Sequence, residues 1–279
     1  MRRPVFQRIG VVANLQKEGV TPLISDFIPE LLREGFDVFV DPEMEARHGP
    51  IDGVKGGISK DCDVIAAFGG DGTILTIARR YLDLDIPILG LKGGRLGFLT
   101  EPVQLDIVQR LKNQGYKVQE RMRISATIVE GDQVVHEFTA LNDVVVHGGV
   151  SRMVTLRTEV DGTFVREYSA DGVIVATPTG STAYSLSAGG PILTPALHAI
   201  LLTPLCPHKL SIRPLVLDAE ERVRVSIVHP RADIRVTVDG QKGCDLKEDQ
   251  CVAIQKSNQT TKLLVPEGYD FFSMLREKL

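Results

Sequence analysis

Four cysteines among 279 residues are too few and too scattered for a disulfide scaffold. Cys62, Cys206, Cys244 and Cys251 form no C-x-x-C pair and stand beside no second cluster of Cys and His, so they read as reduced thiols of a cytosolic protein. The histidines are equally dispersed, without an H-x-x-x-H pair, which argues against a His-based zinc site. No G-x-S-x-G elbow marks a serine nucleophile. No apolar run approaches the roughly 18 residues that a spanning helix needs, the run Gly172 to Ala176 being typical of the longest. After Met1-Arg2-Arg3-Pro4 come Gln7 and Arg8, where a secretion signal would place an apolar core. The expected location is the cytoplasm. Charge of one sign is missing too: 32 Lys+Arg stand against 36 Asp+Glu, a net charge of -4. Without a clustered basic face neither nucleic acid nor a membrane is an expected partner, and a small molecule is.

What is present is an ordinary globular composition, 43% apolar and 24% charged, long enough for one large domain or two smaller ones. β-branched runs at Arg8 to Ala13 and Asp63 to Phe68 stop at Asn or Gly and read as buried strands. Between them Leu23, Ile24, Phe27, Ile28, Leu31 and Leu32 recur at helical spacing, and Gly35 is a natural stop. Phe36 to Val40 is the next strand, Thr73 to Leu82 the next helix, and Pro87 to Leu91 returns to strand. This alternation predicts a Rossmann-like α/β domain with a parallel sheet over residues 1–101. After the helix-like run Gln104 to Asn113 the pattern turns β-rich, and Gly131-Asp132, Asp161-Gly162 and Asp239-Gly240 predict tight hairpins. A β-rich domain is expected over 102–266. Residues 267–279, with Tyr269, Phe271, Phe272, Met274 and Leu275, form an expected helix that returns to the first domain.

Three segments carry chemistry. Phe68-Gly69-Gly70-Asp71-Gly72-Thr73 ends a strand and opens a helix, where glycine lets backbone N–H groups approach phosphate oxygens and the helix N-terminus adds partial positive charge. A carboxylate there would repel phosphate unless it handles a proton or a metal, so Asp71 suits a base, while an N-cap in a plain glycine turn is the bland alternative. Gly90 to Leu99 lies at the same carboxyl edge of the sheet, and its Lys92 and Arg95 either neutralise phosphate or are simply solvated. Asp171 to Gly190 runs from a strand into a loop of small residues. Seven hydroxyl residues between Thr177 and Ser187, Tyr184 among them, suit a nucleoside held by hydrogen bonds and stacking, and a structural loop is the alternative. Asn142-Asp143 heads the apolar strand Val144 to Val146 and offers an amide and a carboxylate at a strand edge; alone it reads as a plain turn or cap.

Taken in order, Gly69-Gly70-Asp71-Gly72, Gly90 to Leu99, Asn142-Asp143 and Asp171 to Gly190 resemble the bacterial NAD kinases over most of the chain. The resemblance implies transfer of the γ-phosphoryl of ATP, or of inorganic polyphosphate, to the 2′-hydroxyl of the adenosine ribose of NAD, giving NADP. It implies an α/β domain followed by a β-rich one, a homotetramer or homodimer, and Mg²⁺ or another divalent ion travelling with the donor, with no protein residue assigned as a metal ligand. By the same resemblance Asp71 is the base. Asp71, Gly72, Asn142, Asp143, Asp171, Thr182, Ala183, Tyr184 and Ser187 hold NAD, and Gly69, Gly70, Gly72, Lys92 and Arg95 face the donor phosphates. Many members carry Asn in place of Lys92 and Glu in place of Asp143. A related G-G-D-G kinase acting on another hydroxyl, and a sensor that binds NAD or NADP without turnover, are the rival readings.

Overall fold

A computed structural model describes residues 6–94, 96–149, 153–229 and 233–279. The chain divides into two compact units, Met1–Glu120 with Thr261–Leu279, and Arg121–Thr260.

In the first unit the strands Lys55–Gly56, Asp37–Val40, Arg8–Ala13, Val64–Phe68 and Ile88–Lys92 lie side by side in that order, and every pairing is parallel. Val64–Phe68 is buried along its whole length, as expected of a central parallel strand covered on both faces. The helix Val20–Arg33 buries Val20, Ile24, Phe27, Ile28 and Leu31 on one stripe, and Phe27 meets Phe68 edge to face at 5.0 Å. It stops where Gly35 takes a φ of +86°.

The helix after the G-G-D-G sequence runs Asp71–Arg80, two residues earlier at both ends than the apolar spacing predicts. Asp71 and Gly72 offer no apolar side chain, so the first turn leaves no trace in the hydrophobic pattern. Asp71 is therefore the first helical residue, and the cap position belongs to Gly70. The later helix is shorter than Gln104 to Asn113, spanning Ile107–Lys112. Its Ile107, Val108 and Leu111, with Tyr116, enter the core of this unit, which is why the compact division falls after Glu120 and not at 101. The last helix, Phe271–Lys278, is capped by the Asp270 carboxylate, which accepts from the N–H groups of Phe272 and Ser273 at 3.1 and 3.0 Å.

The second unit is built of antiparallel strands. One sheet orders Leu215–Asp218, Ala199–Leu205, Gly172–Ala176, Asp143–Gly148, Ile234–Val238 and Lys242–Leu246. Another set pairs Thr163–Ala170, Val154–Val160, Val223–His229 and Gln250–Pro266. Val144, Val146, Val173 and Val175 of the first pack with Leu156, Val225, Val252 and Ile254 of the second in one core. Alternate residues Val145, Ile174 and Ala176 join Leu193, Leu201 and Leu205 on the opposite face. The three hairpins form where Gly131-Asp132, Asp161-Gly162 and Asp239-Gly240 stand; Asp161 and Gly162 take φ of +48° and +76°, the pair of left-handed residues that a two-residue turn requires. The four cysteines are unpaired. Among the described residues no helix is long and apolar enough to cross a membrane.

Candidate functional site

In the first unit the strand Val64–Phe68 delivers its chain end into Gly69-Gly70, and the N–H of Thr73 donates to the Gly70 carbonyl at 2.8 Å to start the helix. The Asp71 side chain turns toward the second glycine segment. Its Oδ2 accepts from the N–H of Phe98 at 2.9 Å, and its Oδ1 from the N–H of Leu99 at 3.2 Å and the Thr100 hydroxyl at 3.1 Å. Gly97 makes this approach possible: a Cβ there would lie 2.2 Å from Asp71 Oδ1. Three of the roughly four lone-pair positions of the carboxylate are occupied, which fixes its direction and leaves Oδ2 able to accept once more.

Lys17 was not visible as a candidate in the sequence. The turn Asn14 to Lys17 is tied to the strand end by the Asn14 N–H donating to the Phe68 carbonyl at 3.0 Å, and a Cβ on Gly70 would come within 2.7 Å of the Lys17 ammonium. An exposed cation thus lies over the glycine loop. The Thr73 hydroxyl is buried there without a hydrogen-bond partner. Lys92 is half-buried at the end of its strand. Arg95 lies outside the described residues.

The second unit holds a cavity of about 510 Å³. Asn142, Asp143, Asp171, Ala183 and Tyr184, five residues expected to hold NAD, all line it. Asp143 is 4% exposed and Tyr184 50% exposed. Burial, reinforced by the neighbouring charge of Asp239, pushes the Asp143 carboxyl up to about 7. Thr182 and Ser187 do not line the cavity; the Thr182 hydroxyl donates to the Thr179 carbonyl at 3.1 Å.

The hydroxyl-rich segment departs from its expected form. It winds into two short helical turns, Gly180–Thr182 and Tyr184–Ser187, and the hydroxyls of Thr177, Ser181 and Thr182 serve the backbone. Thr177 Oγ1 donates to the Leu141 carbonyl at 2.5 Å, Ser181 Oγ to the Pro178 carbonyl at 2.6 Å, and Ser185 pairs with Thr203 at 2.9 Å. Small hydroxyl residues here replace an apolar core by satisfying buried backbone groups, so the segment is both a structural loop and the carrier of Ala183 and Tyr184. Gly180 packs on the Asn142 corner, where a Cβ would lie 2.1 Å from the Asn142 carbonyl oxygen.

Asp239, His147 and Thr237 also line the cavity and were not singled out in the sequence as site residues. The only signal at Asp239 was the hairpin dipeptide it forms with Gly240. The His147 ring has Nδ1 at 2.9 Å from the Gly148 carbonyl, which can only accept, so Nδ1 carries the proton. In the neutral ring Nε2 then accepts from the Thr237 hydroxyl at 2.9 Å.

A family model described as the ATP-NAD kinase N-terminal domain matches residues 9–117, and one described as the ATP-NAD kinase C-terminal domain matches residues 141–265. A curated relative from Caldanaerobacter subterraneus subsp. tengcongensis, named NAD kinase, is 38% identical across 98% of this chain and 99% of its own. Another NAD kinase, from Desulforamulus reducens, is 40% identical across 97% of this chain and 96% of its own. Among solved structures, yeast NADH kinase complexed with NADH is 28% identical with a TM-score of 0.87, covering 99% of this chain and 88% of that one. An NAD kinase from Archaeoglobus fulgidus in complex with ATP is 26% identical with a TM-score of 0.72, covering 97% and 99%. With both domain models matched in order and relatives above 30% identity along nearly the full length of the chain, this protein belongs to the NAD kinase family.

Proposed function

We infer that the chain phosphorylates the 2′-hydroxyl of the adenosine ribose of NAD with ATP to give NADP, the cavity of the second unit holding the dinucleotide and the G-G-D-G segment serving the donor. The observation that carries the assignment of residues is the convergence of Asn142, Asp143, Asp171, Ala183 and Tyr184, drawn from three separated stretches of chain, on one cavity of nucleotide size. Asn142 and Asp143 offer an amide and a carboxyl to ribose hydroxyls, and Tyr184 offers a ring to a base. Thr182 and Ser187 shape the two turns that present Ala183 and Tyr184.

A secondary hydroxyl attacks a phosphoryl group poorly unless it is positioned, its proton accepted and the phosphate charge offset. Asp71 takes the proton, its carboxylate aimed by the Phe98, Leu99 and Thr100 donors. Gly69, Gly70 and Gly72 open the backbone at the helix N-terminus to phosphate oxygens, and Lys17, Lys92 and Arg95 add positive charge. Among the described residues no group of three or more His, Cys, Asp or Glu converges as a metal cage, and the Asp71 oxygens are engaged by protein donors. That donor set fits Mg²⁺ held chiefly by the phosphates and water. Bound with the donor, such an ion offsets phosphate charge.

The unpaired cysteines suit a reducing compartment, here the cytoplasm. Val134 and Val135, 56% and 40% exposed on the hairpin strand Gln133–Ala140, support association into a homodimer or homotetramer.

Incubation with NAD, ATP and Mg²⁺, read by a dehydrogenase specific for NADP, tests the reading. Steady NADP formation is expected, with polyphosphate tried in place of ATP. Tight NAD binding by calorimetry without any NADP would instead establish a sensor.

A further inference from the structure

The Asn142-Asp143 corner is held from outside its own strand. Asp239, 6% exposed at the tip of the hairpin between Ile234–Val238 and Lys242–Leu246, accepts on Oδ1 from the N–H groups of Asn142 at 2.7 Å and Asp143 at 3.3 Å. Its Oδ2 accepts from the Leu141 N–H at 3.1 Å. The contact is reciprocal, since the Asp239 N–H donates to the Asp143 carbonyl at 2.9 Å. From the other side Thr177 grips the same corner, its N–H donating to the Asn142 carbonyl at 2.8 Å and its hydroxyl to that of Leu141.

We propose that Asp239 is a positioning residue for nucleotide binding: its carboxylate clamps the Leu141 to Asp143 backbone, and its charge governs the form in which Asp143 meets the ligand. This rests on the reading that the cavity is the NAD site. Three donors converging on one buried carboxylate exceed what a hairpin tip needs, because an Asp-Gly turn closes without any long-range partner. The arrangement fixes the backbone of two residues that line the cavity. It also places a second acid beside Asp143, which is already deprived of water. The other groups along the cavity that can carry charge are Tyr184, from the short helical turns, and, toward the far end of the Asp143 strand, His147 and Asp171, whose carbonyl accepts from the Gly148 N–H at 3.0 Å. Only Asp239 among them contributes, with burial, to raising the Asp143 carboxyl. An ionised Asp143 accepts ribose hydroxyl groups more strongly than a neutral one. NAD binding should therefore improve as pH rises through neutrality, and Asp239 sets where that improvement begins.

The test is Asp239→Asn in the full chain. The amide oxygen can still serve Asn142 and Asp143, so the fold is retained, while an NH₂ group now opposes the Leu141 N–H and the charge is gone. At pH 8 the KM for NAD should rise roughly tenfold, the size expected for a lost hydrogen bond to a charged group, with the KM for ATP within about twofold. The pH at which the KM for NAD falls should move to the acid side. So should the ¹³C carboxyl titration of Asp143, assigned with Asp143→Asn. A merely structural role would raise KM and leave that titration in place. An unmoved titration with an unchanged KM for NAD overturns the proposal. Should Asp239→Asn not fold, the ¹³C carboxyl signals of both acids in the parent still decide: a step in the Asp239 signal as Asp143 ionises supports the proposal, and two independent titrations, or Asp143 in the ordinary carboxylate range, end it. If Asp143→Ala and Tyr184→Ala also leave the KM for NAD unchanged, it is the assignment of the cavity to NAD that has failed.

Discussion

Asp71 and Asp143 are the same residue type in opposite surroundings. Asp71, at the head of a helix in the first unit, has its carboxylate met by two backbone N–H groups and a hydroxyl. Asp143, at the head of a strand in the second, sits nearly without solvent beside another carboxylate, and its own acid is pushed up to about 7. Donors aim a carboxylate; burial next to a like charge withholds its charge until the pH is near neutral. The difference separates a group suited to pointing a lone pair at one proton from a group suited to adjusting its hydrogen bonding to a ligand.

The sharpest break in that comparison is Asp71→Asn, expected to fold normally and to lose roughly 10² to 10⁴ in turnover, the usual worth of a positioned base. Kinetics of the purified variant decide the matter, and turnover within threefold of the parent removes Asp71 from the base role. On the other side of the comparison, Tyr184→Ala should raise the KM for NAD by roughly 5- to 150-fold, the equivalent of about 1 to 3 kcal/mol for an aromatic stacked on a base. Steady-state titration of each substrate checks it. A raised KM for ATP with an unchanged one for NAD would exchange the roles of the two regions.

Asp143→Asn probes the withheld charge through stability. The carboxyl titrates near 4 in the unfolded chain and at about 7 in the folded one. Between those limits the folded state holds more protons, so the parent loses stability as pH rises through that window and carries the full cost above it. The variant cannot ionise, and its Tm should exceed the parent's by a few degrees at pH 8 and by little or nothing at pH 4. A difference that is equal at both pH values would show that Asp143 does not titrate as described. The smallest expected effect belongs to Lys92→Asn. A half-buried ammonium in a phosphate loop attracts a donor in proportion to its charge, so the KM for ATP or polyphosphate should rise a few-fold at low ionic strength and less at high, with the KM for NAD unmoved. Parallel behaviour of parent and variant in both salts would mean that Lys92 points to solvent.

Much of the architecture was legible because it rests on neighbours in the chain. Val64 to Phe68 announces a buried strand by being apolar throughout, and the stripe from Ile24 to Leu31 announces a helix face. Asp161-Gly162 announces a hairpin because few other pairs adopt two left-handed residues cheaply. The first turn of the helix at Asp71 was not legible, since Asp and Gly leave no apolar mark. The segment Thr177 to Ser187 was legible as unusual, but not how its hydroxyls are divided: those of Thr177, Ser181 and Thr182 satisfy backbone carbonyls and that of Ser185 pairs with Thr203.

Periodicity and turn chemistry are properties of adjacent residues, and they were enough for the alternation of strand and helix and for the hairpins; the cavity residues Asn142, Asp143, Asp171, Ala183 and Tyr184 were reached only through the resemblance that the ordered motifs bear to the NAD kinases. The relation of Asp239 to Asp143 spans 96 positions, that of Asp71 to Phe98 spans 27, and Lys17 reaches Gly70 only because two parallel strands end side by side. These depend on which strand ends folding brings together and on how much water it removes from them. Hydrogen-bond direction and the titration of a carboxyl follow from those three-dimensional surroundings, so no local pattern in the chain encodes them.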